Sequence, residues 1–303
     1  MTKLNIHFGY PKTGTTSLQN MLARSRKSLD AHRVLFPETI DNRHRVLQLI
    51  GSDGTNQNLN KRLNVSSSDE RKSRIDSWVA GLAEVAADYD SVILSEETLA
   101  TRAPEELAEI HSVLAPHFSE VHVYVGFRQH ESFAISDYMQ RVKATFNHAS
   151  FRHYVRNLAS KDFMLYSQVL ERFDTIFGPE NVHPIVYDAA NSHDFNKNLL
   201  ASMGVEAEWL ETPTELYNKM PNIEVLFLKQ FFNRRMEQMM KDFDGKANGA
   251  VHDAIIDALG TVVSAAKITL PTKADLLDSI PRNTKRQWDD DWTALQASLD
   301  SRS

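Results

Sequence analysis

Hydrophobic and polar positions alternate with the period of a strand in several short segments, and they follow the period of a helix in the segments between them. The first alternating segment spans residues 4–8, and the helical pattern after it begins at Leu18. Further strand-like runs cover residues 91–94, 121–127 and 182–187. This repeated order predicts an α/β fold, a doubly wound parallel sheet flanked by helices on both faces.

Helical patterns dominate the rest of the chain. They cover residues 195–203, 222–242, 250–266 and 291–299. We therefore predict a single domain over residues 1–303, with an α/β core in residues 1–190 and a mostly helical extension in residues 191–303. Residues 51–69 are rich in Asn, Ser, Gly and Asp, and we expect them to form a flexible excursion.

The composition narrows the possible functions. The chain carries 34 Lys and Arg against 40 Asp and Glu, a formal net charge of −6, which gives no electrostatic reason to expect nucleic acid as the main partner. It has no cysteine, so disulfides, thiolate chemistry and cysteine-based metal sites are excluded. No window is expected to reach the roughly 18 apolar residues of a membrane span, and no signal sequence is evident. We expect a cytoplasmic protein without an integral membrane segment.

The turn between the first strand and the first helix predicts an anion site. Free backbone N–H groups and the positive end of a helix dipole meet where such a turn enters a helix. A Walker A loop would read G-x-x-x-x-G-K-[ST]; here Gly9 and Gly14 have that spacing, but Thr15 follows Gly14 and the lysine lies inside the loop, at Lys12. The plainer alternative is an ordinary connection whose threonines cap the helix.

The segment Tyr-Pro-Lys-Thr-Gly-Thr-Thr, residues 10–16, resembles the phosphosulfate-binding loop of the sulfotransferases that use 3'-phosphoadenosine 5'-phosphosulfate (PAPS). The resemblance implies a P-loop-NTPase-like fold and a nucleotide-binding core. It also implies that Lys12 stabilises the negative charge that builds up on the leaving group. The cofactor-binding residues that it implies in this loop are Lys12, Thr13, Gly14, Thr15, Thr16 and Ser17.

A second segment strengthens the resemblance. An apolar run ends at Arg128, which therefore lies at the carboxyl end of a strand, where ligands bind in open α/β sheets. The sulfotransferase family has an Arg at this strand end and a Ser eight residues later, and Arg128 and Ser136 have that spacing. The resemblance implies that both hold the 3'-phosphate of PAPS. A guanidinium suits a phosphate because it can donate two parallel hydrogen bonds.

Sulfuryl transfer to a hydroxyl also needs a base within about 3 Å of the acceptor oxygen. The strand at residues 91–94 leads to Glu96 and Glu97, and we favour Glu97 as the base, with Glu96 as the second choice. Either glutamate could instead cap a helix or pair with a surface lysine. His130, close to Arg128, is a further candidate, although a lone histidine is more often a hydrogen-bonded structural residue.

These observations predict a PAPS-dependent sulfotransferase that acts on a hydroxyl acceptor, with adenosine 3',5'-bisphosphate as product and no metal. Two alternatives remain: a P-loop kinase or NTPase that uses Mg²⁺, and an inactive nucleotide-binding module. The acceptor is open, with a glycan or glycolipid favoured, and residues 41–69 and 139–156 are the variable segments that could select it. The oligomeric state is also open.

Two C-terminal features are less informative. Sulfotransferases often place a basic, glycine-containing loop near the 3'-phosphate, whereas residues 282–288 contain no glycine; any contact from them would come from Lys285 or Arg286, with a solvated charge cluster as the default. Residues 187–204 and 218–222 loosely resemble the bacterial branch of the family.

Overall fold

A computed structural model describes residues 2–39, 41–52, 54, 56–188, 192–211, 223–239, 245–266 and 270–302. Within these residues the protein has one five-stranded sheet, in the order β2-β3-β1-β4-β5. All neighbouring strands are parallel. The strands are β1 (Lys3–Gly9), β2 (Val34–Leu35), β3 (Ser91–Glu97), β4 (Glu120–Arg128) and β5 (Val182–Tyr187).

The α-helices of the described residues account for most of the remaining structure. They are α1 (Thr15–Arg24), α2 (Arg26–Ala31), α3 (Gln57–Leu63), α4 (Ser68–Ala86), α5 (Pro104–Leu114), α6 (His130–Ala144), α7 (Phe151–Ala159), α8 (Tyr166–Phe177), α9 (Ser192–Ser202), α10 (Ile223–Met239), α11 (Gly245–Ala266), α12 (Lys273–Ser279) and α13 (Arg282–Asp300). Short 3₁₀ turns lie at Arg45–Gln48, Leu99–Thr101, Ala115–His117, Asp162–Met164, Pro179–Asn181 and Ala207–Trp209.

Helices cover both faces of the sheet, as the sequence predicts. On one face, Ile93 and Tyr124 share a buried cluster with Leu18 of α1 and Leu199 of α9. The opposite face is covered by α8, where the ring of Phe8 meets those of Phe173 and Phe177 edge-on, with centroids 5.6 Å apart in both pairs. Burying these apolar side chains on both faces is what favours the parallel sheet. The predicted α/β class is therefore confirmed.

The parallel register brings the candidate site to one edge of the sheet. Gly9, at the end of β1, pairs with Glu97 at the end of β3, and Arg128 at the end of β4 pairs with Tyr187 of β5. The central position of β1 places the loop after it between the ends of β3 and β4. Ligand sites of open α/β sheets lie at this edge.

The chain divides into two compact units. One contains residues 1–128 and 166–217, including the whole sheet; the other contains residues 129–165 and 218–303. Helices α6 and α7 thus group with the C-terminal helices, and α6 packs against α10, α11 and α13. The single domain with an internal boundary near residue 190 stays a prediction.

Several sequence-based boundaries differ from the structure. The expected flexible excursion at 51–69 includes helix α3. Residues 282–288, compared above with a loop, form the first turns of α13, which begins nine residues before the predicted start at residue 291. Residues 189–191 and the Asn-rich segment 218–222, used in the bacterial resemblance, lie outside the described residues.

The expectation about membrane-length windows is wrong for one helix. Residues Gly249–Ala266 of α11 have a mean hydropathy of 1.2 over 18 residues, enough by length and composition to cross a membrane. Few charged residues interrupt this Ala- and Val-rich window, which explains the value. Only 17% of the window is buried. Its buried residues include His252, Ile256 and Leu259, which lie on one face of the helix.

Candidate functional site

The loop after β1 is shaped by a close approach at Gly9. A Cβ atom at Gly9 would lie 2.9 Å from the Cα of Glu97 and 2.9 Å from the Oγ1 of Thr15. Only glycine fits between the end of β3 and the start of α1 at this distance. Gly9 O also accepts a 2.8 Å hydrogen bond from Thr98 N. The loop and the candidate base are therefore in direct backbone contact.

Two left-handed residues turn the chain from β1 into α1. Lys12 has φ 65° and Gly14 has φ 78°. A Cβ at Gly14 would also lie 3.1 Å from the ring of Tyr187. A lysine in this conformation carries a backbone cost, because the left-handed region is disfavoured for residues with a side chain. The next residue, Thr13, is buried.

The N-terminus of α1 is free of a side-chain cap. Its N-cap residue is Gly14, which has no side chain to accept hydrogen bonds from the first-turn N–H groups. The Thr13 hydroxyl donates instead to Tyr10 O at 2.7 Å. The Oγ1 of Thr15 is buried without a hydrogen-bond partner. The alternative in which the threonines cap the helix is therefore wrong, and the first-turn donors are available for an anion.

Arg128 supports this loop from the neighbouring strand. Its Nη1 donates a 2.9 Å hydrogen bond to the backbone oxygen of Lys12, and its guanidinium lies over the ring of Tyr187, 5.3 Å from the centroid. Burial lowers the pKa of Arg128, but a guanidinium stays charged at any physiological pH. The structure thus adds a contact with the loop after β1 to the 3'-phosphate role expected of Arg128.

Ser136, the expected partner of Arg128, lies in α6, in the unit that contains residues 129–165. It is partly exposed. Its joint role with Arg128 stays a prediction, as do the binding roles of Thr16, which is exposed, and Ser17, which is half-buried.

Both candidate glutamates contact Arg43. Its Nη1 lies 3.2 Å from Glu97 Oε2, and its Nε donates to Glu96 Oε1 at 3.1 Å. The side chain of Glu96 is fully buried, whereas that of Glu97 is 33% exposed. Of the two, only Glu97 is accessible from solvent. The alternative of pairing with a surface lysine is not observed, because the partner of both glutamates is Arg43, whose side chain is only 19% exposed.

The contacts of Glu96 favour a structural role for this side chain. Gln48 donates a hydrogen bond to its Oε1, while its Oε2 has no hydrogen-bond partner. Burial raises the pKa of Glu96, and Arg43 and Gln48 oppose that shift. A buried carboxylate held by two donors fixes the segment around residues 43–48 against the end of β3.

A buried polar cluster beneath the glutamates centres on Ser95. Its Oγ lies 2.9 Å from His7 Nδ1 and accepts from Gln19 Nε2 at 3.1 Å. Its backbone N–H donates to His44 Nδ1 at 3.0 Å. Burial lowers the pKa of His7 to about 3 and that of His44 to about 4. Both histidines are therefore neutral near pH 7 and serve to hold β1, α1 and residues 43–48 together.

The remaining candidates of the sequence have structural partners. His130 is buried, its Nε2 lies 2.9 Å from Met164 O and 3.2 Å from Asp291 Oδ2, and its ring stacks on Trp288. Lys285 pairs with Glu131 at 3.3 Å and is half exposed. These contacts favour the structural interpretation of His130 and the solvated charge cluster at Lys285.

Sequence reasoning missed three residues at this edge. Arg43 and Gln48 contact Glu96, and Asn196 is buried with an unpartnered Oδ1 that would lie 3.7 Å from a Cβ at Gly14. Only the polar character of Asn196 inside an apolar helical pattern could have signalled it. Among the described residues, no group of three or more His, Cys, Asp or Glu side chains is arranged to hold a metal ion.

Comparisons with known proteins add a fold-level likeness. No family model and no curated protein matches the chain. Among solved structures, the protein is similar to a sulfotransferase from Alicyclobacillus acidocaldarius, with 17% sequence identity, a TM-score of 0.45 and coverage of 85% of this chain and 95% of that chain. At this level of similarity, the function has to be inferred from the site.

Proposed function

We propose that this protein is a sulfotransferase that moves a sulfuryl group from PAPS to a hydroxyl acceptor. The observation that carries the proposal is the uncapped N-terminus of α1, with Lys12 inside the loop before it and Glu97 in contact with that loop through Gly9. A phosphate binder and a potential base thus adjoin each other. A loop that only connected a strand to a helix would need neither.

The donor would bind with its 5'-phosphate at the start of α1. The first-turn N–H groups and the Thr15 hydroxyl can donate to phosphate oxygens, and the helix dipole favours the negative charge. The buried, unpartnered Oγ1 of Thr15 fits such a ligand, because buried hydroxyls normally have partners. Arg128, with Ser136, would recognise the 3'-phosphate, a group that ATP lacks.

The reaction is an in-line displacement at sulfur. The acceptor oxygen forms a bond to sulfur while the bond between sulfur and the bridging phosphate oxygen breaks. The acceptor proton passes to Glu97, and the electron pair of the broken bond stays on the phosphate of adenosine 3',5'-bisphosphate. Lys12 stabilises that developing charge, an effect that is strongest in a dry and preorganised site.

The acceptor proposed here is a carbohydrate or glycolipid, and the location is cytoplasmic. No metal is required by this mechanism, since Lys12 and the first-turn N–H groups supply the positive field. Cell fractionation of the native host tests the location. Activity assays with and without a chelator test the metal requirement.

The donor site is tested by titrating the purified protein with adenosine 3',5'-bisphosphate and, separately, with ATP and Mg²⁺, using calorimetry and thermal shift. We expect metal-independent binding of the bisphosphate that is lost in Arg128→Ala. Preference for ATP with Mg²⁺ would overturn the proposal in favour of a kinase. Bisphosphate binding without turnover on any acceptor would favour the inactive module.

Lys12→Ala tests the leaving-group role. We expect kcat to fall far more than bisphosphate affinity, because the charge that Lys12 meets develops only in the transition state. Lys27→Ala is the control, since Lys27 is an exposed lysine on the next helix. Unchanged turnover in Lys12→Ala would remove Lys12 from the mechanism.

A further inference from the structure

A cavity of about 510 Å³ lies beside the candidate base, within the unit that contains the sheet. It is lined by residues from 38–46, the end of α3 and one face of α4. Its size is in the range of small-ligand sites. Arg43 links it to the reaction centre, since Arg43 lines the cavity and also contacts Glu97.

Four arginines line this cavity: Arg43, Arg45, Arg62 and Arg74. Two of them are already paired in the folded protein. Arg43 holds Glu96 and Glu97, and Arg45 Nε donates to Asp41 Oδ2 at 2.7 Å.

The other two arginines differ. Arg62 and Arg74 make no hydrogen bond or ion pair in the part of the chain that the structure describes, and both are exposed. Glu38 is a second acid in the lining, and it acts electrostatically on Arg26. The cavity therefore carries positive charge that its own acids do not neutralise.

Trp78 adds a flat apolar surface. It lies one turn after Arg74 on α4 and is partly buried, so its ring and the Arg74 side chain share a face of the helix. Aromatic faces combined with a few charged donors suit ligands that have an apolar ring face and polar substituents. Sugars with an acidic substituent have both properties.

We propose that this cavity is the acceptor subsite and that it selects an acceptor carrying an anionic substituent, a carboxylate or a phosphate or sulfate ester, which Arg62 and Arg74 bind while Trp78 packs on the ring. The inference rests on the proposed function, because the ligand of this cavity is an acceptor only if the protein transfers a sulfuryl group. The binding of an anionic sugar can be measured without donor or turnover, so the two proposals can fail separately.

The experiment compares four probes by calorimetry: a hyaluronan tetrasaccharide, glucose 6-phosphate, neutral chitotetraose and inorganic phosphate. We expect one of the two acidic sugars to bind and chitotetraose and inorganic phosphate to bind much more weakly. The acidic sugar that binds identifies the source of the negative charge. Equal binding of acidic and neutral sugars, or of phosphate alone, would overturn the proposal.

The double variant Arg62→Gln/Arg74→Gln should weaken binding of that sugar by about tenfold or more, since each lost charge-assisted hydrogen bond costs on this scale. Both positions are exposed, and an unchanged Tm verifies folding. The matched control is Lys61→Gln/Lys72→Gln, with the same charge change on the same two helices and outside the cavity lining. An equal loss of affinity in the control variant would show that the effect comes from net charge alone, and it would contradict the proposed subsite.

If bisphosphate binding fails while the acidic sugar still binds through Arg62 and Arg74, the sulfotransferase proposal is overturned and the anion-binding cavity stands. If the bisphosphate binds and no acidic sugar does, the donor site stands and the acceptor subsite is overturned. Once turnover is observed, the arginine variant should raise KM for the acceptor and leave bisphosphate affinity unchanged.

Discussion

Arg128 and Lys12 are joined by a hydrogen bond from the arginine Nη1 to the lysine backbone oxygen, 2.9 Å long. The bond connects the end of β4 to the middle of the loop after β1, across 116 residues of sequence. It fixes the carbonyl of a residue whose own backbone is in the left-handed region. Arg128 is therefore a positioning residue for Lys12 in addition to its proposed contact with the 3'-phosphate.

This relationship predicts that Arg128→Lys is not a conservative change. A lysine keeps the charge but loses the planar fork that can bind the loop and a phosphate together. We expect bisphosphate affinity to fall by roughly tenfold to a hundredfold, and amide hydrogen exchange in residues 12–16 to increase. Arg172→Lys is the control, because Arg172 donates to a backbone oxygen, that of Arg102, elsewhere in the same unit. If the amides of residues 12–16 exchanged in Arg128→Lys at the wild-type rate, the positioning role of Arg128 would be contradicted.

Gly9→Ala should damage both stability and activity. The new methyl group would meet the Glu97 Cα and the Thr15 Oγ1 at 2.9 Å, so backbone must move. Overpacking of this kind costs about 1–3 kcal/mol, and the shift would separate Glu97 from the loop after β1. Thermal unfolding and kcat measure the two effects.

Gly81→Ala is the matched control. A Cβ at Gly81 would have no neighbour within 4 Å, and the residue lies inside α4. Removing a helix-interior glycine should stabilise the protein by about 0.5–1 kcal/mol and leave kcat unchanged. A Gly9→Ala enzyme that resembled this control would show that the close approach at Gly9 is not needed.

The sheet and the turn after β1 could be predicted because their signals are local. The alternation in residues 4–8 and the lysine and glycines of residues 9–14 specify a strand and a turn from neighbouring positions alone. The same holds for Glu97 and Arg128, which lie at the ends of their strands.

Other features depended on contacts distant in sequence. Arg43 lies in an irregular segment and meets Glu96 across 53 residues, so no periodicity marks it. The start of α13 has no clear apolar signal, because its buried stripe begins with Thr284 and has Asp291 between Trp288 and Leu295, which masks the apolar spacing. The grouping of α6 and α7 with the C-terminal helices likewise has no local signal.

Glu97→Gln should separate chemistry from binding. Losing a general base typically costs about a hundredfold to ten-thousandfold in rate, while the bisphosphate site is untouched. We expect kcat to fall by that order with unchanged bisphosphate affinity and an unchanged Tm.

Glu96→Gln is the informative comparison. Glu96 is buried and held by Arg43 and Gln48, so its loss leaves Arg43 with one carboxylate and should lower the Tm, with a smaller effect on kcat in the folded fraction. If Glu96→Gln abolished turnover and Glu97→Gln did not, the base would be Glu96.

The neutral histidines predict an acid-sensitive fold. Burial holds the pKa of His7 at about 3 and that of His44 at about 4, below the value of about 6.5 expected in the unfolded chain. Between these values the unfolded state binds more protons than the folded state. The free energy of unfolding therefore falls as pH drops below about 6.5, by up to about 1.4 kcal/mol per pH unit for each histidine.

His7→Asn tests whether the buried histidines cause the acid sensitivity. Asparagine can keep a hydrogen bond to Ser95 Oγ, which lies 2.9 Å from His7 Nδ1, but it does not titrate. We expect a lower free energy of unfolding at pH 7, because the smaller side chain leaves a cavity, and a shallower decline between about pH 6.5 and about pH 3. His117→Asn, at an exposed position, should leave the decline unchanged. Urea denaturation across this pH range measures the free energy of unfolding. If its slope against pH were the same in His7→Asn and in the parent protein, the acid sensitivity would come from other groups.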